Sequence, residues 1–221
     1  KGLKRLGIIG QRDVVYFDEI GRTRFADADA TVNILKDYMQ TGLFSRGDQE
    51  FNATASIVLA GNIEVATDSH NPKPSDRYEH WLAVLPAEVN SDTAFIDRLN
   101  AYVPGWEFQK IRKERYAKGY GLMTDYFAEI LKRLRERAIQ TMVAASINFE
   151  AETSRNQDSV QKTTSGLIKL IFPHRDVDTI EAEEMKICLD LAIEVRQIVY
   201  DQMAIISPGE YQKRPILAKM R

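Results

Sequence analysis

Cysteine occurs once in the 221 residues, at Cys188. A single thiol excludes an intrachain disulfide framework and any CxxC metal site, and it fits a reducing compartment such as the cytoplasm. Histidine is nearly as scarce. His70, His80 and His174 stand in polar stretches without ligand spacing, which argues against zinc. No apolar run approaches the ~20 residues of a membrane-spanning helix, so no membrane partner is expected. No signal-peptide pattern is read within the sequence, which begins Lys1-Gly2-Leu3 without an initiator Met and is expected to be a fragment. Neither sign of charge dominates: Lys plus Arg is 30, Asp plus Glu is 32, and the net charge is -2. That balance excludes a globally basic nucleic-acid binder while leaving room for a local basic site. The phosphate-cradling pattern GxxxxGK followed by Ser or Thr occurs nowhere, and there is no internal repeat or low-complexity tract.

What is present is an ordinary globular composition, 44% hydrophobic and 28% charged, enough for one large domain or two small ones. The first part reads as α/β. "DVVYFDEI", Asp13 to Ile20, is an apolar run ending in two carboxylates, the form of a parallel strand buried on both faces. Val32, Leu35, Tyr38 and Met39 recur at helical spacing and predict a helix from about Ala28 to Gln40, stopped by Gly42. A second buried strand is expected at Ala55 to Gly61, a long polar loop from Glu64 to Pro86, a short helix over Ser91 to Leu99, and a third strand in "NAYVPGW". After about Trp106 the pattern turns helical. Tyr126, Phe127, Ile130, Leu131, Leu134 and Ala138 predict one long amphipathic helix between Leu122 and Ile147. Further helices are expected at Val160 to Phe172 and Thr179 to Ile206, the last ended by Pro208 and Gly209. The expected fold is an α/β portion, residues 1–108, followed by an all-helical portion, residues 109–221.

The chemistry concentrates in Val14-Val15-Tyr16-Phe17-Asp18-Glu19. Hydrophobics followed by Asp-Glu at a strand end form the Walker B pattern. The first carboxylate, Asp18, is suited to hold Mg²⁺ opposite nucleotide phosphates, and Glu19 to polarise the attacking water. Alone the pattern is weak, since strands often end in surface acids. Asn62, ending the second strand, is suited to bond that water or the γ-phosphate, but also simply to start a turn. Arg98, between a helix and the next expected strand, is placed as an Arg reaching a phosphate across a subunit boundary, or as an ordinary surface residue.

The order of these elements is that of an AAA+ ATPase from Walker B onward. "FNATASIVLAGN" resembles the sensor-1 strand of the minichromosome maintenance helicases, and "FIDRLNAYVPG" resembles their arginine-finger segment. "SVQKTTSGLIKL" resembles their sensor-2 helix, with Lys162 where those proteins have Arg. Over about Gly7 to Pro173 the chain most resembles the BrxL family, Lon-like AAA+ ATPases of BREX phage-defence systems. "DVVYFDEI", "ILKDYMQTGLFSRG", "ASIVLAGNI", "DRLNAYVPGWE", "YGLMTDYFAEIL" and "KTTSGLIKLIFP" carry the resemblance.

The resemblance implies a partial AAA+ P-loop NTPase core with a helical lid, in a homo-oligomeric, hexamer-like ring that acts with DNA and other BREX components. It implies ATP and Mg²⁺ as cofactors of the intact protein, with Asp18, Asn62 and Lys162 at the nucleotide and Glu19, Asn62 and Arg98 in catalysis. On that resemblance the family's P-loop is expected before Lys1 and its Lon-like domain after Arg221, so tight nucleotide binding by these 221 residues alone is not expected. A Lon-type ATP-dependent protease and a non-catalytic ring or interaction module stand as alternatives. In the helicases the segment like "LFSRGDQEF" is a pore hairpin, which places Arg46 at DNA; an ordinary Arg-Gly-Asp surface turn is the competing reading. Nine basic residues against four acidic ones between Lys110 and Gln140 read as a solvated helix face or ring interface before a nucleic-acid site.

Overall fold

The computed structural model describes residues 7–25, 27–46, 49–66 and 72–221, with Arg46 described by its backbone alone. His70 lies outside the described residues. The chain divides into two compact units, residues 1–98 with 202–212, and residues 99–201 with 213–221.

In the first unit, β1 (Val14–Phe17) leads through a sharp turn to α1 (Ala28–Thr41). Asp27 caps α1 by accepting the Ala30 amide at 3.2 Å, and Gly42 ends it in the left-handed region at φ 74°. An antiparallel hairpin follows, β2 (Leu43–Arg46) and β3 (Gln49–Asn52), with Arg46 opposite Gln49. The chain then enters β4 (Ser56–Leu59), which pairs in parallel with β1, Phe17 opposite Leu59. Helix and hairpin thus form the crossover that parallel pairing requires. Tyr38 ties the crossover down: its hydroxyl donates to the Ala55 carbonyl at 2.6 Å, and its ring meets Phe44, which stacks on Phe51. Buried Val15, Ile20, Val32, Leu82, Phe95 and Ile96 form the core of this unit. The last two lie on α2 (Thr93–Ile96), capped by Asp92 through the Phe95 amide at 2.9 Å.

Burial of β1 on both faces is not what the structure has. Val15 is buried, but Val14 and Tyr16 are 55% and 60% exposed. Successive strand residues point to opposite faces, so Val14 and Tyr16 share one face, and among the described residues nothing packs over it.

The second unit contains α3 (Thr124–Glu136), α4 (Gln140–Ala145), β5 (Ile147–Phe149), α5 (Ser154–Ile171), most of α6 (Ala182–Ile206) and β6 (Ala218–Met220). Three expectations are corrected here. The single helix from Leu122 to Ile147 is two helices and a strand. Arg137 breaks it with extended backbone and donates to the carbonyls of Pro173 and Arg175, each at 2.8 Å. Its apolar stripe is not buried, since α3 has no buried residue among those described. The all-helical portion carries a two-stranded antiparallel sheet, β5 with β6. The third strand expected in "NAYVPGW" does not form: Tyr102 donates its amide to Val195 of α6 at 2.9 Å, and Pro104 has no amide to offer a ladder.

The core of this unit is partly polar. Arg196 is fully buried; its Nε donates to Asn156 Oδ1 at 2.9 Å and its Nη1 to the Leu99 carbonyl at 2.6 Å. Asn156 in turn donates to the buried Glu152. Cys188 is buried, and burial raises its thiol pKa, as fits a packing residue. The acidic run before α6 serves the helix start: Glu184 accepts the Glu181 amide at 3.0 Å and two bonds from Arg175.

Candidate nucleotide site

The parallel register of β1 and β4 brings their C-terminal ends side by side. Phe17 pairs with Leu59, Ala60 donates its amide to Phe17, and Ile20 donates to Ala60. Asp18 and Glu19 therefore follow one strand and Asn62 the other at the same edge of the sheet. This is the edge where open α/β sheets bind ligands. All three residues are exposed.

The turn after β1 is unusual. Glu19 lies in the left-handed region, φ 48° and ψ 40°, which a residue with a Cβ adopts at a cost of ~1 kcal/mol or more. Several contacts hold it there. Its amide donates to Asp18 Oδ1 at 2.9 Å, and its carbonyl accepts the Arg22 amide at 2.9 Å. Ile20 is buried beneath, and Gly21 passes against the Val84 carbonyl so closely that a Cβ would stand 2.4 Å from that oxygen. The Glu19 carboxylate pairs with the Arg22 guanidinium at 3.1 Å, both side chains well exposed. A pair in that setting is worth ~0–1 kcal/mol, so the carboxylate is easily drawn elsewhere. Neither Gly21 nor Arg22 stood out in the sequence. Their signal was the Gly-Arg directly after the acidic pair, where a tight turn was needed.

Arg98 lies just past α2, and its Nη1 donates to the Ala94 carbonyl at 2.5 Å. Nearby, Lys36 Nζ meets Asp92 at 3.0 Å, largely out of solvent. Burial works to raise the Asp92 pKa. The amides of Phe95 and Ala94 and the Lys36 ammonium outweigh it, so the carboxyl sits below its usual range. Arg46 ends β2 at the far end of the hairpin from Gly42. Lys162 is exposed on α5 in the second unit.

The family described as "Lon-like protease BrxL-like, ATPase domain" matches residues 1–216. The chain belongs to the BrxL family. It is 38% identical over 211 residues to "Lon-like protease BrxL" of Escherichia coli O9:H4 (strain HS), covering 94% of this chain and 29% of that protein. It is 36% identical over 211 residues to "Lon-like protease BrxL" of Bacillus cereus (strain H3081.97), covering 94% of this chain and 30% of that protein. The chain thus spans about three tenths of the length of these BrxL relatives.

A BrxL ATPase domain implies a nucleotide with Mg²⁺, and the donor chemistry here fits that ion. Mg²⁺ prefers hard oxygen ligands and is commonly held by one or two carboxylates plus phosphate oxygens and water. Asp18 offers one exposed carboxylate at the sheet edge. Among the described residues no cluster of three or more His, Cys, Asp or Glu forms an all-protein metal cage. When bound, the ion supplies charge neutralisation at the phosphates.

A cavity of about 420 Å³ in the first unit lies elsewhere, lined by Arg77, Tyr78, His80, Asn90, Ser91 and Ile205 among others, and by none of the predicted site residues. Buried His80, whose pKa is lowered by burial against the opposing charge of Glu79, has no hydrogen-bond partner at Nδ1. No helix among the described residues is long and apolar enough to cross a membrane.

Proposed function

We propose that this chain supplies the Walker B, sensor and arginine-finger residues of a ring-forming ATPase. The full-length protein then couples ATP hydrolysis to DNA binding or remodelling in BREX phage defence, in the cytoplasm and with other BREX components. The observation that carries the reading is the meeting of Asp18, Glu19 and Asn62 at one edge of two parallel strands, in a chain matched along its length by an ATPase family.

In this reading Asp18 holds Mg²⁺ and Glu19 takes the proton of the attacking water. Asn62 orients that water or the γ-phosphate. Arg98 reaches nucleotide bound by the neighbouring subunit, and Lys162 contributes a positive charge at the phosphates. The easily exchanged Arg22 pair suits Glu19, because a base must leave its resting partner to meet the water.

Glu19→Gln in the full-length protein tests the assignment. The amide keeps size and hydrogen-bonding capacity but is no base, so hydrolysis should fall by ~10²-fold or more while nucleotide binding stays nearly unchanged. Unaltered turnover removes Glu19 from the role. The name of its relatives, Lon-like protease BrxL, favours a second reading, ATP-dependent proteolysis. Degradation of an unfolded protein substrate by the full-length protein, abolished by Glu19→Gln, would support it.

A further inference from the structure

Every residue from 107 to 129 is exposed. The segment is not polar enough for that to be ordinary. Between residues 108 and 123 it carries Phe108, Ile111, Tyr116, Tyr120, Leu122 and Met123, with Ile111 80% exposed. Interleaved are five basic residues, Lys110, Arg112, Lys113, Arg115 and Lys118, against one acid, Glu114. None of the five holds an ion pair among the described residues. Exposed apolar surface concentrated in this way marks an interaction site, and the excess positive charge specifies an acidic partner face.

The same unit carries such a face. On α6, Glu183, Ile187, Asp190, Leu191 and Glu194 fall at helical spacing on one stripe and are all exposed, Ile187 by 68%. Asp190 is partnered by Lys186, which leaves Glu183 and Glu194 flanking two bare aliphatic side chains. In the structure neither surface covers the other, since both remain exposed.

We propose that the segment 108–123 of one copy docks on this α6 stripe of a second copy, its aromatic and aliphatic side chains over Ile187 and Leu191 and its cations against Glu183 and Glu194. The contact joins two different surfaces, so it is head-to-tail, and successive copies close into a ring or extend as a filament. Aromatics among cations also suit single-stranded nucleic acid. That occupant would leave the apolar stripe of α6 uncovered, whereas a second copy covers both surfaces at once. The proposal deepens the ring reading above and rests on it.

Charge swaps in the full-length protein test it. One variant carries Lys110→Glu, Arg112→Glu and Lys113→Glu; the other carries Glu183→Lys and Glu194→Lys. All five side chains are exposed, and matched circular dichroism and melting confirm folding. In sedimentation velocity with and without ATP, each variant alone should associate about 100-fold more weakly than wild type, because like charges now face each other. An equimolar mixture should recover assembly, since the acidic segment of the first variant meets the basic stripe of the second and the unchanged surfaces still match. Wild-type assembly by either variant alone overturns the proposal, as does a mixture that fails to recover. Unchanged assembly with weakened binding of a single-stranded oligonucleotide by the first variant assigns the segment to nucleic acid instead. Wild-type protein that stays monomeric under all conditions overturns the ring reading itself, together with this proposal.

Discussion

Gly21 and Val84 are in backbone contact: a Cβ on Gly21 would lie 2.4 Å from the Val84 carbonyl oxygen. That oxygen belongs to a short 3-10 helix, Trp81–Val84, and cannot swing aside like a side chain. The contact sits two residues from Glu19 and props the turn that holds Glu19 at positive φ. Gly21→Ala should therefore displace the Asp18–Glu19 turn. We expect a loss of ~2 kcal/mol or more in stability and a fall in the ATPase rate of the full-length protein larger than the loss of folded protein explains. Thermal melting and steady-state hydrolysis, measured on the same samples, check this. Wild-type values of both would show that the turn does not depend on the contact.

The sequence made this region legible because its signals are local. The apolar run ending in Asp18-Glu19, a helix stopped by Gly42 and a second strand ending before Asn62 each announce themselves within a dozen residues, whereas the parallel pairing was expected from a burial on both faces that the strand does not have. Signals that depend on distant partners were not legible. The run from Leu122 to Ile147 has helical periodicity throughout, yet Arg137 leaves the helix because the carbonyls of Pro173 and Arg175, nearly forty residues away, accept its guanidinium. "NAYVPGW" has the composition of a strand, but Tyr102 finds its acceptor on α6. The stripe on α3 promised a buried face, and the structure leaves Tyr126 60% exposed. Periodicity reports that a surface is apolar; it does not report what covers it. The αL conformation of Glu19 was hidden too, since only the fold around Ile20 and Gly21 imposes it.

Glu152 predicts a pH dependence. Its side chain is fully buried, accepting Arg214 at 2.6 and 3.2 Å, Asn156 at 2.9 Å and the Leu217 amide at 3.3 Å. Burial alone would raise its pKa; the bonds from Arg214, Asn156 and Leu217 prevail, so the folded value lies below the ordinary 4.5. A depressed carboxylate pKa stabilises the fold above the unfolded value, and that stability is lost as pH falls through the folded value. Wild type should lose melting temperature on acidification below about pH 4.5 more steeply than Glu152→Gln. At pH 7 the variant should be less stable by about 2 kcal/mol, below the ~3–5 kcal/mol of a fully buried broken pair because Arg214 keeps partial access to water. Parallel melting curves for the two proteins would refute this network's role.

Arg46 predicts a salt effect. The β2–β3 hairpin ends with Arg46 opposite Gln49, so a ring would present this position once per subunit. Phosphate contacts are independent of sequence, and their salt slope rises with the number of phosphates neutralised. Arg46→Ala in the full-length protein should weaken binding to DNA of any sequence and flatten the plot of log affinity against log salt, with ATP binding unchanged. Identical salt slopes for mutant and wild type would leave the hairpin without a part in DNA contact.

Arg98 predicts complementation between subunits. Its guanidinium is held by the Ala94 carbonyl of its own helix turn, a resting contact that a phosphate can replace because a charged acceptor bonds a guanidinium more strongly than a neutral carbonyl does. If Arg98 acts on a neighbour's nucleotide, Arg98→Ala should lower hydrolysis by about 10³-fold, the range of arginine fingers in phosphoryl transfer. Loss of rate alone does not separate action in trans from action in cis. Mixing Arg98→Ala subunits with Glu19→Gln subunits does. Each homogeneous ring lacks one component of every site. In a mixed ring some sites pair the intact Glu19 of an Arg98→Ala subunit with the intact Arg98 of a Glu19→Gln neighbour, and those sites hydrolyse ATP if the two residues meet across the subunit boundary. If both act within one subunit, no site in any mixture is complete. Activity that rises on mixing and peaks near equal proportions is the expected result. Mixed rings that form, as verified by differently tagged subunits co-purifying, yet stay as inactive as either parent would assign Arg98 to its own subunit or remove it from the reaction.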